Sequence, residues 1–140
     1  MKLSKKAEYA LRAMTELVTA GGDGPVRIAQ ISRNEKIPRK FLERILNDLK
    51  KGGILKSVRG ARGGYILAKE PADITFADVV RLMDGPLAPL RCVSKYAHVK
   101  CSREKICLLK NVMMEVRNAV AGVLETRTFA DVAEVKRRKK

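Results

Sequence analysis

Thiols and imidazoles are scarce in this 140-residue chain, which has three cysteines and one histidine, and its acidic residues are outnumbered two to one, fifteen Asp+Glu against thirty Lys+Arg. Each shortage excludes something. An odd, small number of thiols argues against a disulfide-stapled scaffold, and a chain of this length buries an adequate core without one. A lone histidine offers no second catalytic constellation, so a cysteine-dependent sulfur-transfer enzyme, which needs a base and a substrate pocket, is only a remote alternative. No apolar run approaches the ~20 residues of a membrane-spanning helix. No signal peptide is recognisable either, which leads to the expectation of a soluble protein in a reducing cytoplasm. Close Cys-x-x-Cys pairs, the usual clamp of structural zinc, are absent too.

What is present is positive charge, unevenly placed. The formal net charge is +15, residues 1–70 hold sixteen basic and seven acidic side chains, and Lys136 to Lys140 read KRRKK. Such an excess calls for a polyanionic partner. Nucleic acid ranks ahead of an acidic membrane because no strongly amphipathic basic helix with exposed aromatics is evident. The terminal run by itself reads as a solvated, disordered tail over 136–140.

Apolar periodicity places the elements. Ser4 is a plausible N-cap for a helix carrying Ala7, Ala10, Leu11, Met14, Leu17 and Val18 and closing near Gly21-Gly22. A short second helix spans about 27–35 with Ile28, Ala29 and Ile31 inward. A third starts at Ile37-Pro38 and buries Phe41, Leu42, Ile45, Leu46 and Leu49 before Gly52-Gly53. Its other face reads Arg39, Lys40, Glu43, Arg44, Asn47 and Lys51. Two helices and a tight turn, the second with a basic, amide-bearing outer face, are the helix-turn-helix arrangement that places one helix in the major groove.

The strands expected at 54–58 and 65–67 flank Arg59-Gly60-Ala61-Arg62-Gly63-Gly64, a basic hairpin that reads as a wing. Arg59 and Arg62 suit phosphate or a narrow minor groove, and Gly63 suits close backbone approach. A phosphate-cradling nucleotide loop is the rival, but these glycines sit between two strands and no GK[ST] follows. A helix over Ile74 to Met83, N-capped by Thr75, then closes the core behind the wing. The expected class is mainly α with a small β-hairpin, a winged helix-turn-helix followed by a long C-terminal dimerisation helix.

All three cysteines and the histidine fall within seventeen residues, RCVSKYAHVKCSREKIC, in a loop after Gly85-Pro86. The gaps are eight residues from Cys92 to Cys101 and five from Cys101 to Cys107, wide enough for a larger inorganic cluster with ligands arriving from separate directions. Surrounding cations (Arg91, Lys95, Lys100, Arg103, Lys105) favour thiolate, which serves cluster ligation and cluster-free redox sensing alike. Three small buried hydrophobes are the plainer alternative. His98 is a candidate fourth ligand, since imidazole ligates iron in Rieske centres. Beyond the loop, Ile106, Leu109, Met113, Val116, Val120 and Val123 form a heptad-like seam that suits a helix packed on its twin, or else a core helix of a monomer. Thr128 opens a last short helix or arm expected near that seam.

EYALRAM near the start, IPRKFLERILNDLKKGGIL, SVRGARGGYILAKEP and ITFADVVRLMDGP, followed by clustered cysteines and a long helix, resemble the winged-helix regulators typified by IscR and NsrR over nearly the whole chain. The resemblance implies a homodimeric bacterial transcription factor, with the wing and third helix on double-stranded operator DNA and, in many members, a cysteine-ligated iron-sulfur cluster of the 2Fe-2S or 4Fe-4S type. It also implies Glu8 as a possible fourth ligand, because certain relatives place a carboxylate ligand in the first helix. As a plain residue, Glu8 suits an ion pair with Lys5 or Arg12. The first cysteine gap is longer here than the five to seven residues usual in that family, and Lys110 stands where some relatives have histidine. The parts expected are 1–85 for DNA binding, 86–107 as a sensor loop, 108–135 for dimerisation and a C-terminal arm, and 136–140 as the tail. A regulator without a cluster, acting by thiol chemistry or a protein partner, is the alternative.

Overall fold

Helix α1 (Lys5–Ala20) begins where Ser4 turns extended and its hydroxyl accepts from the Ala7 amide at 3.0 Å. The computed structural model describes residues 2–139, the side chain of Asp23 excepted. Ala7, Ala10, Ala13, Met14 and Leu17 share one buried face of α1. The small alanines let other helices come close, and α1 becomes the axis against which every other helix of the N-terminal part packs.

Helices α2 (Ile28–Glu35) and α3 (Arg39–Lys51) form the helix-turn-helix. The turn between them is tight because Lys36 adopts a left-handed conformation, φ 53°. Ile37 then dives into the core and Pro38 caps α3 with its fixed φ. Leu42, Ile45, Leu46 and Leu49 are fully buried, each contributing roughly 1.5–3 kcal/mol of hydrophobic stabilisation. Phe41 meets Tyr9 of α1 edge to face, ring centroids 5.5 Å apart. On α2 the expected inward set is only partly right. Ile31 is buried and Ile28 half-buried, but Ala29 is exposed, because eight residues present too narrow an apolar stripe for adjacent positions to share it.

The wing is an antiparallel pair, β1 (Leu55–Val58) and β2 (Gly64–Leu67), in the register Leu55 opposite Leu67 and Val58 opposite Gly64. Val26 adds a one-residue third strand, exchanging both backbone hydrogen bonds with Tyr65 at 3.0 and 2.9 Å. Gly64 is required there, since a Cβ would collide with the Val26 carbonyl.

The pentapeptide Thr-Phe-Ala-Asp-Val occurs twice, at 75–79 and 128–132, and opens both α4 (Phe76–Asp84) and α6 (Phe129–Arg138). Each copy forms a capping box, Thr75 with Asp78 and Thr128 with Asp131. The two caps also pair with each other. The Phe76 amide donates to the Arg127 carbonyl and the Phe129 amide to the Ile74 carbonyl, both at 3.0 Å, and the phenyl rings stack 4.5 Å apart. Phe129 is fully buried, so the C-terminal segment completes the main core on α1, while Val132 and Val135 border a groove that the seam residue Val123 also lines.

That long helix, α5 (Leu109–Leu124), starts one turn later than the heptad pattern suggests, which leaves Ile106 in the preceding loop. None of its residues is buried, and Ile106, Leu109 and Val123 of the seam are 71, 63 and 58 % exposed. Within this chain α5 is therefore an edge helix and not a fully buried one. Val120 packs with Ala77, Val80 and Leu87 in a small second core that joins α5 to α4. The basic terminal run also departs from expectation. Lys136, Arg137 and Arg138 form the last turn of α6 and Lys139 its C-cap, because the Thr128 capping box and Phe129 hold the helix in place; Lys140 lies outside the described residues.

Candidate nucleic-acid interface and cysteine loop

One face of α3 is fixed by the core, which forces Arg39, Lys40, Glu43, Arg44 and Asn47 outward, and all five are exposed. Arg39 lies 3.7 Å from Glu43, an ion pair worth little between exposed groups. Both therefore stay available to a ligand. Arg59 and Arg62 project from the exposed wing tip. Gly63 is placed by the turn itself. Its amide donates to the Gly60 carbonyl at 3.0 Å, and a Cβ would collide with the Val58 carbonyl, so the absent side chain is needed even without DNA.

Two further cations join this face with no local sequence signal to announce them. Arg27, at the N-cap of α2, hydrogen-bonds through its guanidinium to the Ala61 carbonyl and braces the wing tip against the helix-turn-helix. Lys36 is exposed in the turn. Exposed cations on two elements locked together by backbone pairing make a rigid, positively charged surface suited to a phosphate backbone.

The cysteine loop divides into two halves. Its first half is pinned: Val93 and Ser94 are buried, and Arg117 of α5 donates to the Val93 carbonyl at 2.6 Å. Arg81 of α4 stacks over the Tyr96 ring, 4.9 Å from its centroid, and ion-pairs with Glu125 at the end of α5. Cys92 sits in this half, within a single turn of 3-10 helix, Arg91–Val93. The second half carries the exposed Cys101 and the half-buried Cys107, and a charged trio tethers it. Lys110 lies 2.8 Å and His98 3.3 Å from the same oxygen of Glu104. These two donors, Lys110 foremost, hold the Glu104 carboxyl down to about 2 from its ordinary 4.5.

The three thiols are free, and among the described residues no three of His, Cys, Asp and Glu stand close enough to hold a metal. The rival fourth ligands are both engaged. His98 faces Glu104, and Glu8 pairs with Lys5 at 3.1 Å and Arg12 at 3.6 Å. Glu8 thus makes both of the ion pairs its helical spacing suggests. The donors suit an iron-sulfur cluster in kind, but as placed they do not form its shell.

With this geometry in hand, the comparisons with known proteins are consistent with one another. Residues 3–135 match the family model described as Rrf2, iron-dependent transcriptional regulator. The chain belongs to the Rrf2 family. The transcriptional regulator CymR of Bacillus subtilis is 33 % identical over 133 residues, 95 % of this chain and 90 % of that protein. The solved structure titled as CymR, the global cysteine regulator of B. subtilis, superposes with a TM-score of 0.80 at 32 % identity, covering 96 % of this chain and 98 % of that one. T. potens IscR superposes with a TM-score of 0.79 at 33 % identity, covering 97 and 88 %. This Rrf2 protein is a DNA-binding helix-turn-helix transcriptional regulator and not an enzyme, and the winged-helix fold expected from its sequence is the one it has. Among the described residues no helix is long and apolar enough to cross a membrane.

Proposed function

We propose that this chain is a cytoplasmic homodimeric repressor that binds a two-fold related operator and is switched by an iron-sulfur cluster on Cys92, Cys101 and Cys107. The observation that carries the switch is the pinned half of the loop. Arg81 and Arg117 tie it to α4 and α5 at once, so a change at Cys92 bears directly on the angle between the DNA-binding part and the long helix. The exposed apolar side of α5 supports the dimer. Two winged domains reading half-sites about one helical turn (~34 Å) apart need their spacing held, and a few ångströms of change weakens binding. Linkage then requires operator DNA to favour the same state of the loop that favours it.

On the DNA, Arg39, Lys40 and Arg44 take base edges or flanking phosphates and Glu43 accepts from a cytosine amine, while Arg59 and Arg62 hold phosphate or the minor groove beside Gly63. Arg59→Ala weakens binding and lowers its salt dependence while leaving any chromophore intact. The cluster rests on the kinds of donor present, and collecting the three thiols requires the second half of the loop to move, with Glu8 or His98 as fourth ligand. Iron and sulfide analysis of anaerobically purified protein tests it. Cys101→Ala must erase the visible absorption; a wild-type spectrum in that variant removes the assignment.

A second reading has its own support. The thiols stand apart and Cys101 is exposed, which suits cluster-free thiol oxidation in a cationic setting. Protein free of iron and sulfide that still loses DNA on peroxide treatment would establish it.

A further inference from the structure

We infer that the basic end of α6 is a second phosphate-binding surface, which extends the operator contact beyond α3 and the wing. The inference rests on the DNA-binding reading above. Lys136, Arg137, Arg138 and Lys139 are all exposed, and none lies within ion-pair distance of a carboxylate among the described side chains. They do not hang on a loose tail. The Thr128 capping box fixes one end of α6, Phe129 is buried beneath it, and the helix lies along α1.

Its far end is what matters. Ala133, Lys136 and Arg137 border a cavity whose other wall is Val18, Thr19 and Gly22, where α1 ends. From there the chain runs only a few residues to Val26, which pairs with Tyr65 of the wing, and to Arg27, which braces the wing tip. Lys136 and Arg137 are thus placed against the end of α1, a few residues before the connection that opens the helix-turn-helix. In helix-turn-helix proteins the helix before the recognition helix crosses the DNA backbone. Two cations on a fixed helical turn, Lys136 and Arg137, with Arg138 and Lys139 exposed beside them, suit phosphates flanking the site, and they carry no base-reading geometry. Cations at a helix C-terminus also favour the helix itself, so loss of charge alone has to be separated from loss of fold.

The experiment uses full-length protein and a duplex it selects from a random pool, in a minimal form and in a form lengthened by about six base pairs on each side. Lys136, Arg137, Arg138 and Lys139 are changed together to Gln. With two phosphates met per protomer at ~0.9 each, the log K against log salt slope of the dimer falls by about 4 on the long duplex. On the minimal duplex the variant and the wild type bind alike. A slope unchanged within 1 on the long duplex, in a variant whose circular dichroism and Tm match wild type, overturns the inference and leaves the regulator reading intact. If Gln frays the helix, Lys136→Arg and Lys139→Arg with Arg137→Lys and Arg138→Lys keep the charge and must keep the slope. Retention on phosphatidylserine vesicles that only the Gln variant loses, with an unchanged DNA slope, overturns it in favour of a membrane. Wild-type protein that selects no duplex would bring down the regulator reading itself.

Discussion

Helices α3 and α5 both turn a broad face to solvent, and they are built oppositely. α3 buries Leu42, Ile45, Leu46 and Leu49 in its own chain and shows charge to solvent, whereas no residue of α5 is fully buried and it shows Leu109, Val112 and Val123. A helix held by its own core can present a rigid charged face to a ligand. One held by two arginines and a small patch around Val120 is fixed far less by its own chain. The difference separates a helix anchored in the core from one attached at its edge within one small chain.

Breaking α3 should cost most. Leu46→Ala removes a fully buried side chain and should destabilise by about 2–5 kcal/mol, read as a lowered midpoint in urea with an unchanged slope. Next come the twin caps. Thr75→Ala and Thr128→Ala should each cost ~1 kcal/mol, and because the two segments are paired the double variant should depart from the sum. Smaller and of opposite sign, Lys36→Gly relieves a left-handed lysine, whose cost of about 1–2 kcal/mol exceeds the roughly 0.5–1 kcal/mol of glycine's extra chain entropy, and should raise stability slightly while weakening DNA binding. In the proposed dimer, Val112→Asp on α5 should leave the circular dichroism spectrum unchanged and shift the elution volume from dimer to monomer. A dimer that survives it would remove the role given to α5.

The subtlest effect is in the loop. The folded-state pKa of Glu104 lies below its ordinary 4.5, so the tether it makes is fully present above that pH and fades as pH falls toward about 2. In wild type, Cys101 should label more quickly as acid releases the tether, after correction for the thiolate fraction. Glu104→Gln should label quickly at every pH and lose that dependence.

The same contrast explains what could be read from the sequence. α1, α3 and α4 were legible almost to the residue because each buries one face in its own chain, and burial is what writes a 3.6-residue period. The wing was legible from its glycines and arginines. Three things were not. Val26 joins the sheet through a single bridge, and one residue has no period. The pairing of the two Thr-Phe-Ala-Asp-Val segments is long-range, so each copy reads locally only as a helix start. The basic terminal run looks like a solvated tail until Phe129 is seen to dock the helix that carries it. In the cysteine segment the residue types spoke of thiolate chemistry, yet their positions depend on Arg81, Arg117 and Lys110, which lie on other elements or beyond the loop. Charge partners of that kind leave no spacing rule.

The stacked Phe76 and Phe129 rings also set a schedule for folding. Everything needed for the helix-turn-helix and wing has been made once residue 85 is synthesised, but the residue that seals its core arrives only at 129. At ~5–20 residues per second the ribosome takes roughly 2–9 s to cover that interval. Through it, Phe76 stacks on nothing and Ile74 has no amide to accept from, so the newborn helix-turn-helix waits, unsealed, for α6.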